Sequence, residues 1–187
     1  MLAKTPKGVV PVHLGAEEFA RQRDAYRYDV ALLKEMVHHL SNDALLETLK
    51  GLHAQISPGG RLLIVTRPHE PGYPFFKAAQ DVWRKQQPSG DTYAEMLRTA
   101  GFDSVTVSTH AYPCSVPAGR WFDMVRTRFW STFHAMTDAD IEAGLDELVR
   151  AYQLPSKSDA SGLARSYLSF DDRLVFVSGA KGARAPR

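Results

Sequence analysis

Several things are scarce in this sequence. There is one cysteine, Cys114, so no internal disulfide can form. No apolar run approaches the ~18 residues that a membrane-spanning helix needs. The start, MLAKTPKGVVPVHL, lacks the apolar stretch and small-residue cleavage site of a secretory leader. Charge of one sign is not in excess: 23 basic against 21 acidic residues leave +2. Nothing electrostatic therefore favours nucleic acid or an anionic membrane as the main partner. Thirteen glycines are present, yet no two are separated by a single residue, so Gly-x-Gly occurs nowhere. That excludes the tightest glycine turns, in which the backbone itself approaches a ligand.

Hydrophobic residues make up 44% of the 187 positions, enough for a sizeable core. These properties predict a cytoplasmic globular domain, and the alternation of strand-like and helical segments makes it α/β. Val9 to Leu14 (VVPVHL) reads as a short β-like run, with Pro11 awkward for a central strand. Ala16 to Arg23 reads as a helical turn at most. Tyr28 to Leu33 (YDVALL) is the near-continuous apolar run of a strand buried on both faces. Ser41-Asn42-Asp43 opens a helix whose Leu45, Leu49, Leu52 and Ile56 share a face, and Ser57-Pro58-Gly59-Gly60 stops it. Arg61 to Thr66 is a second buried strand, parallel to the first. Phe75 to Lys85 has helical character. Thr92-x-x-Glu95 has the capping-box pattern for a helix ending at Gly101. Phe102 to Ser108 alternates as a strand. Seven aromatic or apolar residues from Trp121 to Phe133 crowd one long helical segment. Thr137-x-x-Asp140 caps another, with Ile141, Leu145, Leu148 and Tyr152 on one face. Leu174 to Ser178 is a last strand.

In this order the pieces resemble class I S-adenosylmethionine-dependent methyltransferases of the small-molecule "type 11" kind. YDVALLKEMVHHL resembles the fourth strand and its loop, and LHAQISPGGRLLIV the helix, Pro-Gly-Gly turn and fifth strand. LRTAGFDSVTV resembles the turn into the sixth strand, and RLVFVSGAKG the last. HLGAEEFA resembles the end of the third strand and the acidic turn beside the adenine. The match covers about residues 9–181. It implies a truncated Rossmann-like sheet of parallel strands plus a C-terminal antiparallel strand. A helical subdomain is inserted at about 117–152, and 182–187 form a flexible tail.

The resemblance implies methyl transfer from S-adenosylmethionine to a small-molecule acceptor. It places Gly15, Ala16, Glu17, Lys34, Glu35 and Met36 against the cofactor. Gly15 stands where the family often has an aspartate. Arg67, His69, Tyr73 and Trp121 would meet substrate, and His39, of the His38-His39 pair, would be the catalytic base. Neither histidine has partners at metal-ligand spacing, so no metal is expected. The aromatic stretch also fits an amphipathic core helix. Cys114, beside Pro113, reads as a packed residue rather than a nucleophile.

The family's glycine turn and the acidic residue that holds the ribose have no counterpart here. Cofactor binding by these residues alone is accordingly expected to be weak or absent, as in a fragment or an incomplete gene model. The fourth-like strand would become an apolar sheet edge, covered by VVPVHL, by a second copy or by another chain. A second reading is therefore a non-catalytic binding or scaffolding module that pairs through this edge. A third, a different α/β enzyme with His39 as base, lacks a visible nucleophile.

Overall fold

A computed structural model describes residues 6–22 and 25–183; Arg23 and most of the expected tail, 184–187, lie outside the described residues. The elements run α1 (Ala16–Arg21), β1 (Tyr28–Lys34), α2 (Asn42–Gln55), β2 (Ile56–Thr66), α3 (Lys77–Gln86), α4 (Gly90–Thr99), β3 (Asp103–Pro117), α5 (Ala118–Arg126), α6 (Asp138–Ala151), α7 (Ala160–Arg165) and β4 (Tyr167–Ala180). The four strands form one mixed sheet in the order β1-β2-β4-β3. β1 and β2 run parallel through the α2 connection, and β4 is antiparallel to its neighbours. Gly59 N–H donates to Lys181 O (3.0 Å) and Lys181 N–H to Gly60 O (2.8 Å) at one such pairing. This is the α/β, Rossmann-like sheet expected, with β1 at an edge.

The chain divides into two compact units. The first is Met1–Ile64, Tyr93–Thr106 and Val177–Arg187; the second is Val65–Thr92 and Val107–Phe176.

In the first unit, Ser41 Oγ accepts from Ala44 N–H and starts α2, whose Leu45, Leu49 and Leu52 are buried as their spacing predicts. Gly51 gives α1 room to lie on α2, because a side chain there would collide with the Ala20 backbone. The fully buried Gln55 ties three segments together: its amide donates to Phe19 O (2.8 Å) and Gln22 O (3.1 Å), and its carbonyl accepts from the Tyr28 hydroxyl (2.6 Å). Gly101, just past the end of α4, takes φ 99° and lets Phe102 N–H reach back to Leu97 O (3.0 Å).

In the second unit, Phe75, Phe76, Trp83, Trp121, Phe122, Val125, Phe133, Ile141 and Leu145 form one core. Gly144 lets α6 approach, since a Cβ there would run into the Phe76 ring. Thr137 and Asp140 make the complete reciprocal capping box on α6.

Several expectations are corrected. Val9 to Leu14 forms no strand: Val10 is 84% exposed and nothing pairs with this segment among the described residues. β1 is a strand, but it is not buried on both faces: Val30 and Leu32, two residues apart on one face, are 60% and 58% exposed, so little packs on that face. α2 stops one residue before Ile56, and Ser57 to Gly60 belong to β2. α4 begins before Thr92, whose N–H is capped by Ser89 Oγ (3.2 Å). The aromatic stretch is not one helix. α5 ends at Arg126, Arg128 takes φ 53°, and a separate 3₁₀ turn follows at Ser131–Phe133. Tyr152 lies outside the buried face of α6.

Candidate functional site

The cofactor-side residues all belong to the first unit. Gly15 precedes α1 in an extended conformation and is exposed, and a Cβ there would meet nothing within 4 Å. Its side-chain-free character is thus not demanded by packing. Ala16 and Glu17 begin α1. Lys34 closes β1 as an exposed residue, and Glu35 turns the chain with φ 52°, a conformation uncommon outside glycine. Met36 leads into the 3₁₀ turn Val37–His39, anchored by the buried Val37.

That turn settles the two histidines differently. His39 is exposed, whereas His38 is half-buried and its Nδ1 is enclosed with no hydrogen-bond partner. The rings lie 4.0 Å apart. Burial, then the neighbouring His39, push the His38 pKa below the ordinary histidine value. A neutral ring is the form that can accept a proton. The sequence pointed to His39, which the structure leaves exposed; the difference in burial between two adjacent identical residues was not legible.

A cavity of about 460 Å³ lies along β1, lined by Leu14, Ala16, Phe19, Tyr28, Val30 and Leu32 among others. Ala16 is the one cofactor-side candidate that lines it. Its polar side chains are already committed: Thr48 Oγ1 donates to Ala44 O (2.8 Å), and the Tyr28 hydroxyl, whose pKa burial raises to about 12, donates to Gln55. No carboxylate lines it. The residues present do not fit the ribose of a nucleoside cofactor, which needs an acidic acceptor, and no glycine turn replaces it.

The substrate-side candidates belong to the second unit. The Tyr73 ring packs, edge-on or tilted, among Trp83 (5.6 Å between ring centres), Trp121 (6.1 Å), Trp130 (5.5 Å) and Phe170 (5.6 Å). The Arg67 guanidinium sits 5.6 Å from the centre of the Tyr73 ring and pairs with Asp172. Trp121 is buried and its Nε1–H donates to Pro74 O (3.2 Å). The structure therefore gathers Arg67, Tyr73 and Trp121 around one aromatic cluster. His69 is turned elsewhere: its Nδ1 lies 2.7 Å from the carbonyl oxygen of Gln87, which leaves Nε2 as the acceptor. Asp172, Trp130 and Phe170 were missed, being remote in sequence from the residues they touch. Cys114 is a half-buried free thiol. Among the described residues, no group of three His, Cys, Asp or Glu side chains is placed to hold a metal ion, and no helix is long and apolar enough to cross a membrane.

The chain matches no family model and no curated protein sequence. Among solved structures, it is similar to an S-adenosylmethionine-dependent methyltransferase from Archaeoglobus fulgidus: 15% identity, 91% of this chain and 66% of that one, TM-score 0.50. The chain shares the α/β, Rossmann-like fold of that protein over this span. Weaker similarity links it to Haemonchus contortus phosphoethanolamine N-methyltransferase 2 in complex with S-adenosyl-L-methionine (14% identity, 83% of this chain and 33% of that, TM-score 0.42). An O-methyltransferase family protein from Burkholderia thailandensis is similar too (12% identity, 89% and 34%, TM-score 0.42). The chain thus spans about a third of the length of these last two proteins and 66% of the archaeal one.

Proposed function

We propose that the chain carries the acceptor-side part of an S-adenosylmethionine-dependent methyltransferase acting on a small molecule. These residues alone bind the cofactor weakly or not at all. The observation that supports the reading is the sheet, β1-β2-β4-β3, in the fold of the archaeal methyltransferase. Methyl transfer asks a protein chiefly for positioning and water exclusion. In this reading residues 15–17 and 34–36 contribute an edge of the cofactor site, and the exposed His39 remains the candidate base. Arg67 and Tyr73 form an acceptor wall, with the buried Trp121 packed behind Tyr73. Because Asp172 already meets the charge of Arg67, that wall suits a neutral, flat acceptor better than an anion.

Calorimetry and amide NMR with S-adenosylhomocysteine test both halves. Shifts confined to residues 15–17 and 34–39 at high ligand concentration, with little heat, are expected. Shifts that appear only outside those residues sink the methyl-transfer reading, and tight binding or turnover by the chain alone sinks the incomplete site. A non-catalytic pairing module is the second reading, favoured by the exposed apolar side chains of β1.

A further inference from the structure

We draw no further inference here: the strongest candidate, the outer edge of β1 with the apolar groove that Leu14, Phe19, Val30 and Leu32 line beside it, carries nothing because no feature of the structure shows what covers it.

Discussion

Arg67 and Asp172 stand 105 residues apart in the chain and meet as an ion pair beside the Tyr73 ring. Their side chains are 20% and 26% exposed, which sets the pair apart from the fully solvated bridges that contribute little. Removing Asp172 leaves a partly buried guanidinium without its counter-charge. A double-mutant cycle of Arg67→Met and Asp172→Ala, followed by chemical denaturation, should give a coupling of about 1–3 kcal/mol. A coupling indistinguishable from zero would show the pair to be incidental.

Gly144 faces the Phe76 ring with no room for a methyl group. Gly144→Ala normally gains helix propensity in a helix interior. Here overpacking should outweigh that gain and destabilise the fold by about 1–3 kcal/mol. Phe76→Leu in the same background should recover part of the loss. A stabilised Gly144→Ala would mean that α6 shifts freely.

Glu142 accepts from Arg126 Nε–H (2.7 Å) and from Lys157 Nζ (2.9 Å). The hydrogen bond from Arg126, then that from Lys157, hold its pKa down to about 2, against an ordinary 4.5. A depressed folded-state pKa contributes stability above the unfolded value and loses it as pH falls toward the folded one. The melting-temperature gap between wild type and Glu142→Gln should therefore be full near neutrality and close between pH 4.5 and about 2. Solvent exposure of the cluster keeps the gap modest. A gap independent of pH would remove ionisation as its cause.

The His38 ring prefers to be neutral in the folded chain, because burial and then His39 disfavour its charge. The unfolded chain binds that proton more readily, so stability should fall as pH drops below the ordinary value of 6.5. His39→Asn should move the NMR titration of His38 upward by removing one of the two causes. An unmoved His38 midpoint would leave burial as the whole explanation.

The best-read parts of the sequence were those whose signal is local. α2 announces itself through Ser41 and the Leu45, Leu49, Leu52 face, and α6 through the Thr137–Asp140 box. Strand lengths were underestimated: β3 and β4 extend each other by mutual pairing, as where the Ser115 and Ser169 hydroxyls meet (3.2 Å), well past the alternating stretches. The short α7 carries too few apolar residues to be seen. The break after Arg126 was hidden because the aromatic stretch keeps its apolar character through it, while the left-handed Arg128 is held by contacts to Met136 O (3.1 Å) and Asp138 (2.6 Å). At the candidate site, Arg67, Tyr73 and Trp121 were legible by their type and place. Their neighbours Asp172 and Phe170 come from a strand about 100 residues later, and no spacing rule reaches that far.

The Lys181 amine donates to His53 O (2.7 Å), Ala54 O (3.3 Å) and Ile56 O (2.7 Å), sealing the carboxyl end of α2. The first unit also takes Val177 into its interior. A ribosome makes α2 early and Lys181 more than a hundred residues afterwards. The first unit is therefore begun before the second and finished after it: its helix waits uncapped, and its sheet lacks β4, until Lys181 has emerged.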